Sequence, residues 1–412
     1  MSGCNNVNVE PVIIGGGDGS PAYDAFGRLR VSNPLTIFDS KNIMSKNNLF
    51  DESLTGSGTV SYSSNKSTVN LNVTTASGDK VIRQSKRIMS YQPGKSLLNL
   101  NTFVMNTQTT NLEQRVGMFN DNNGIFFEDT GTGYRFVRRT YTSGSATEEY
   151  ANQASWNGDT LLAGSSKSGY VLDPTLATIM FMDFEWLGMG AVRCGFVIDG
   201  KFIVAHTFLN ANNLDTVYMQ TANLPIRYEI ETIDTIGGAA VLQQVCSTTL
   251  IEGGYSPEGR RKMIGTAALG TPSTLTTADT WYSIAAIRIK SSRPYAVIIP
   301  TGYDVSALTN DDYECGLFYG ATLASGSYSY TSFDDNIEYD LTTRALSATG
   351  TRIAGNYLSG KAAPTINLSG DIPFANQLGQ TIGGTSDILT LAARGKSNNN
   401  NIAGLIKWFD LT

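Results

Sequence analysis

The strongest constraint in this sequence is a period that it lacks. Apolar residues almost nowhere recur at helical spacing over about eleven residues. They alternate instead with polar neighbours in short runs, the period of a strand with one buried face. Between 51 and 250 such runs predict strands at 60–64, 68–74, 80–87, 97–105, 114–120, 124–129, 134–140, 148–153, 178–186, 192–198, 201–206, 217–221, 226–232 and 239–250. Asn122-Asn123-Gly124, Thr130-Gly131, Asp199-Gly200 and Leu224-Pro225 punctuate them. Asp199-Gly200, between Phe196-Val197-Ile198 and Lys201-Phe202-Ile203-Val204, is the strongest hairpin signal, because Asp-Gly readily takes the positive φ that tight two-residue hairpin turns require. Many short strands with such turns predict an all-β chain of antiparallel β-sandwich or jelly-roll type.

At about 100–200 residues per domain, 412 residues imply two or three domains. Residues 1–50 read as an extended N-terminal docking segment, with the run Gly15-Gly16-Gly17-Asp18-Gly19 and breaks at Pro11, Pro21 and Pro34. Residues 51–252 read as a jelly-roll or lectin-like sandwich. Residues 253–279 read as a linker, opening on Gly253-Gly254 and Pro257, and 280–412 as a second sandwich. In that last part, predicted strands 388–393 and 402–409 flank a polar loop and read as a hairpin.

Within the docking segment, Leu29 and Val31 alternate with Arg28, Arg30 and Ser32, one short strand with an apolar and a basic face. A lone strand is unstable in water. Phe26, Arg28, Leu29, Arg30 and Val31 are therefore expected to dock on a sheet. Leu29 and Val31 should be buried there, and the arginines should meet carboxylates or backbone carbonyls.

Charged residues make up 16% of the chain, against roughly 25% in an average soluble domain. The polar surface must come from Ser, Thr, Asn and Gly, which suits a protein largely covered by neighbours or a long-lived extracellular one. A net charge of -6 and the shortness of runs such as Arg260-Arg261-Lys262 argue against nucleic acid. No apolar run approaches the roughly 18 residues of a membrane span, and the first residues lack the layout of a signal peptide. Of the four cysteines, Cys4, Cys194, Cys246 and Cys315, none forms a CxxC pair, so no zinc site is expected. Free thiols are expected, with a Cys194–Cys246 bridge as the alternative.

Candidate chemistry is sparse. His206 is the single histidine and no GxSxG elbow accompanies it. Met182-Asp183-Phe184-Glu185-Trp186 is the best enzyme-like run: in a strand, Asp183 and Glu185 share a face, as the carboxylate pair of a retaining glycosidase must. Trp186 would add a sugar platform. The third acid of jelly-roll glycosidases is missing, since residue 181 is Phe and residue 187 is Leu. The competing expectation is that these acids bind Arg193 or Arg227 on neighbouring strands. Catalytic residues, metal and cofactor are accordingly all expected to be absent.

Ala25-Phe26-Gly27-Arg28-Leu29-Arg30-Val31-Ser32, with Leu35–Lys41, Ser90–Ser96, Arg115–Phe119, Asn223–Glu229 and Tyr255–Gly259, resembles a group of virion structural proteins. Its members come from tailed phages, cyanophages especially, and from some algal viruses. The resemblance spans nearly the whole chain. It implies a non-enzymatic particle component located in the virion, with other virion proteins and copies of itself as partners. The alternative from a different class is a carbohydrate-binding adhesin or glycan depolymerase using Asp183 and Glu185 on a jelly-roll face, with host surface glycans as ligands and Asp183, Glu185, Trp186 and His206 as the candidate ligand-facing residues. Neither reading calls for nucleic acid or membrane insertion.

Overall fold

The computed structural model describes residue 24 and residues 28–30, 33–254, 259–266, 272–368 and 373–412. The chain is all-β and antiparallel, arranged as two sandwiches. One sheet of the first sandwich runs Lys201–Phe208, Val192–Ile198, Thr178–Phe184, Leu97–Val104, Ala240–Ile251, Thr68–Val73, Thr59–Ser63. The facing sheet runs Thr147–Asn152, Tyr134–Thr140, Gly124–Asp129, Leu112–Phe119, Ile226–Thr232, Lys80–Ser85, Phe50–Thr55. Neighbours distant in sequence, such as Leu97–Val104 beside Ala240–Ile251, give the jelly-roll-like order.

Alternation sets which side chains enter the core. On Thr178–Phe184, Met180, Met182 and Phe184 join the apolar core with Phe103, Phe127 and Phe196. Phe181 and Asp183 therefore face the other way. Burial of each large core side chain is worth about 1.5–3 kcal/mol. The core also holds polar groups. Arg83, with no exposed surface, bonds Gln244 at 2.5 Å and the Glu52 carboxylate. The Asp199-Gly200 turn closes as the sequence predicts, with φ of 50° and 74° and Ile198 opposite Lys201.

Several expectations need correction. The segment 1–50 is not wholly outside the first sandwich. Leu35–Lys41 pairs with the second half of Ala240–Ile251 and buries Ile37 and Phe38, and Phe50 begins an edge strand of the facing sheet. The span 253–279 is not a plain linker either: Arg260–Gly265 and Ser273–Leu275 both pair with Asn400–Asp410 in the second sandwich. Residues 217–221 form no strand; Tyr218 and Met219 are buried in an irregular segment. Leu389–Gly395 and Asn400–Asp410 are not a hairpin. They lie in different sheets of the second sandwich, and the loop between them crosses from one layer to the other. Asp311 holds that loop by accepting from Ser397 N at 2.8 Å and from the Asn400 amide.

The second sandwich packs Arg260–Gly265, Asn400–Asp410, Ile298–Ala307 and Thr365–Asn367 against a sheet containing Arg344–Ala348, Tyr282–Ile289, Leu389–Gly395, Asp312–Tyr319 and Thr351–Ser359. Trp408 and Tyr303 are buried at its centre. The two sandwiches are joined by more than chain continuity. Gln377 Nε2 donates to Ile88 O at 3.0 Å, Gln380 N to Lys86 O at 2.8 Å and Ile382 N to Asp51 Oδ2 at 2.9 Å. Val297, Ile299 and Phe374 complete the first sandwich's apolar cluster.

Candidate functional site: the Asp183–Glu185 pair and the N-terminal arm

Asp183 is the penultimate residue of Thr178–Phe184, opposite Arg193 and Leu98, and Glu185 follows the strand directly. The backbone then turns through Leu187 and Gly188, both at positive φ. Gly190 lies so close that a Cβ there would sit 1.7 Å from Glu185 O. This turn fixes Glu185 beneath the arm. Both carboxylates are buried, with side-chain exposures of 3% and 0%.

The N-terminal arm supplies their cover. Arg30 donates to Asp183 Oδ1 at 2.6 Å and Ser96 Oγ at 2.7 Å, and ion-pairs with Glu252 at 3.3 Å. Ser96 Oγ donates to the same Asp183 oxygen at 2.5 Å, while Arg193 takes the other. Arg28 bonds Glu185 Oε1, Asp24 Oδ2 at 2.6 Å and Gly94 O at 3.1 Å. Two arginines at i and i+2 thus meet two carboxylates at i and i+2, a matched spacing of the two segments.

The electrostatics separate the acids. Burial pushes Glu185 up to about 7, reinforced by its hydrogen bond to Asp24 and that residue's charge, against the pull of Arg28. Burial would raise Asp24 too, but hydrogen bonds from the Arg28 backbone and guanidinium and from Glu185 hold it below its ordinary value. Glu185 is therefore the proton carrier and Asp24 the anion. Carboxyls whose environments part their pKa values are also how acid–base pairs are made. Here, however, both Asp183 oxygens are engaged, and the Asp183 and Glu185 side chains have almost no exposed surface.

The expected arginine–carboxylate contacts are present at Arg28, Arg30 and Arg193. Arg227 instead bonds Asp121 at 2.6 Å, Gln84 and Glu229, on the facing sheet. The burial of the arm's apolar face is reversed at Leu29, which is 57% exposed while the Arg30 side chain is only 9% exposed. Residues 28–30 do not form the expected strand: Leu29 carries only an isolated bridge, and the buried Asp183 carboxylate draws the Arg30 side chain inward while Leu29 faces out. Phe26 and Val31 lie outside the described residues. Trp186 is half-buried, donating to Met219 O at 3.2 Å and edge-on to Tyr91 at 6.1 Å. His206 is half-buried opposite Cys194 and edge-on to Phe208 at 4.6 Å, and burial lowers it to about 4. Cys194, Cys246 and Cys315 are free, and Cys4 lies outside the described residues. Among the described residues no three His, Cys, Asp or Glu side chains group as a metal site would require, and no helix is long and apolar enough to cross a membrane.

Asp24, Ser96 and Glu252 were missed as site residues. The matched spacing of Arg-x-Arg and Asp-x-Glu was the available signal for the arm's receptor. Nothing local marked Ser96 or Glu252, which arrive through pairing of distant strands.

Neither a family model nor a curated protein matches this chain. Among solved structures, similarity covers about half of it. A β-1,3-glucanase from Mycobacterium marinum aligns over 52% of this chain and 98% of its own, at 10% identity and a TM-score of 0.36. The CBM2 module of the evolved Dit of Lactobacillus casei BL23 phage J-1 aligns over 55% and 99%, at 8% and 0.35. A Bacillus licheniformis β-glucanase aligns over 53% and 98%, at 12% and 0.34. At these identities and scores the likeness assigns no function to the chain.

Proposed function

We propose that the chain is a non-enzymatic structural subunit of a virus particle, serving assembly or host attachment, with an N-terminal arm fastened across the outer face of its first sandwich. The observation that carries this reading is the occupation of Asp183 and Glu185. The two carboxylates best suited to chemistry are the receptor for Arg30 and Arg28, and they have almost no exposed surface. The arginines belong to the same run that resembles the virion proteins. The low charge content is consistent with a surface covered by neighbours. Two measurements test the proposal. Antibody labelling and mass spectrometry of purified particles should recover the chain as a stoichiometric component. A panel of polysaccharides should give no cleavage with the full chain or with a chain cut before Asn33. Cleavage that Asp183→Asn or Glu185→Gln abolishes would overturn the non-enzymatic reading, and particles lacking the chain would overturn the structural one.

A further inference from the structure

Every open sheet ends in strands whose outward N–H and C=O groups are unpaired, and natural β proteins block such edges with charge, shortness or a covering segment. Most edges of this molecule follow that rule. Lys201–Phe208 is covered by Gly158 N and Asp159 N, which donate to Ala205 O and Val204 O at 2.9 Å each. Phe50–Thr55 carries Asp51 and Glu52, Thr147–Asn152 carries Glu148 and Glu149, and Arg260–Gly265 opens with three cations. Thr322–Leu323, Thr331–Ser332 and Thr365–Asn367 are two or three residues long.

Thr351–Ser359 departs from it. This strand is nine residues long and ends its sheet beside Asp312–Tyr319. Among the described residues no strand runs along its other side. Its single charge, Arg352, is turned back over Phe318 and Trp281, 5.8 and 5.9 Å from their centroids, and bonds Glu314. A bulge at Ile353 separates that end from Ala354–Ser359, which carries no charge and holds the 79%-exposed Tyr357.

The uncharged stretch is complementary to itself. In an antiparallel pair, opposed residues lie on the same sheet face. Ala354, Asn356 and Leu358 stand opposite core-facing Leu317, Cys315 and Tyr313, whereas Gly355 and Tyr357 stand opposite outward Gly316 and Glu314. Pairing two copies about Asn356 sets Leu358 against Ala354 and each Tyr357 across the other copy's Gly355. The Arg352 guanidinium already lies over Gly355, so each Tyr357 ring would meet the other copy's Arg352 as a cation–π partner rather than a bare glycine. No like charges are opposed, and the arrangement closes as a two-fold.

We propose that Thr351–Ser359 is a docking edge for a second copy of this chain, the two strands pairing antiparallel about Asn356 to run two sheets into one. The test is the mass of the full chain by light scattering over a concentration series, with amide exchange read in parallel. The expected result is a species of twice the 44.3 kDa chain mass, with the amides of 354–359 gaining protection as it forms. Tyr357→Lys, at a 79%-exposed position, should leave the thermal midpoint of the monomer unchanged, while raising the dissociation constant by about tenfold or more. Tyr357→Phe should still dimerise, and Tyr150→Lys, at an exposed tyrosine of the other sandwich, should dimerise like the parent. A monomer at every concentration overturns the proposal. So does a dimer in which 354–359 gains no protection, or a Tyr357→Lys variant that dimerises unchanged.

Discussion

Replacing Arg30 with Ala should cost more than replacing Arg28, although both hold a carboxylate. Arg30 is 9% exposed and its partner Asp183 is 3% exposed. Breaking a buried pair leaves an unpaired charge, at about 3–5 kcal/mol. Arg193 and Ser96 still serve Asp183, so the loss for Arg30→Ala should fall near the lower end, about 3 kcal/mol. Arg28 is 53% exposed and faces a Glu185 that holds its proton up to about pH 7. Its loss should therefore stay within about 1 kcal/mol, the range of exposed pairs. Denaturant titration of the full chain, followed by tryptophan fluorescence, gives the two values. Amide exchange at Leu29 and Arg30 shows whether the arm has lifted. A double-mutant cycle with Asp183→Asn should return a coupling of about 0.5–3 kcal/mol for Arg30. Equal losses for the two arginines, or an Arg30→Ala loss below about 0.5 kcal/mol, would refute the buried-clamp reasoning.

Further outcomes follow from the same contacts. Cutting before Asn33 should leave a folded chain, whereas cutting after Phe50 removes buried Ile37, Phe38 and Phe50, together about 4.5–9 kcal/mol, and should abolish the cooperative transition of the first sandwich. Leu29→Asp should change the stability of the isolated chain by no more than about 0.5 kcal/mol, because Leu29 faces solvent; any larger effect should appear only in particle assembly. Glu185 has a raised folded-state pKa, so its contribution is fully present below its ordinary 4.5 and is lost as pH rises through about 7. Glu185→Gln should flatten stability over that window, and an unchanged slope would contradict the shared proton. Gly190→Ala should cost about 1–3 kcal/mol by thermal melting, since its Cβ would collide with Glu185 O.

How far the fold was legible depended on contrast between strand faces. Gly124–Asp129, Tyr134–Thr140, Val192–Ile198 and Ile226–Thr232 fall where alternation and bounding turns predict them. Phe50–Thr55, Arg344–Ala348 and Thr351–Ser359 were missed because they are half-exposed, so their inward positions need no strongly apolar residue. The false hairpin at 388–409 has another cause. A polar loop looks the same whether its strands pair or cross between layers. What decides is that Asn400–Asp410 pairs with Arg260–Gly265 and Ile298–Ala307, which no local pattern reveals. At the site, the acids and arginines were each visible in the sequence. Their mutual contact was not, because an expected apolar docking face pointed Leu29 rather than Arg30 inward.

The strand Ala240–Ile251 carries a consequence for how the molecule is built. It pairs with Leu35–Lys41, Thr68–Val73 and Leu97–Val104, all far earlier in the chain. Such non-local closure places folding in the slow range of β proteins, about milliseconds to seconds, and leaves the earlier strands open until it happens. Arg30 meets Ser96, Asp183 and Glu252, one from each side of two strand pairings and the third from the end of Ala240–Ile251. Those three groups come together only once Thr178–Phe184, Leu97–Val104 and Ala240–Ile251 are paired. Seating of Arg30 therefore cannot precede that pairing, and a seated Arg30 reports it.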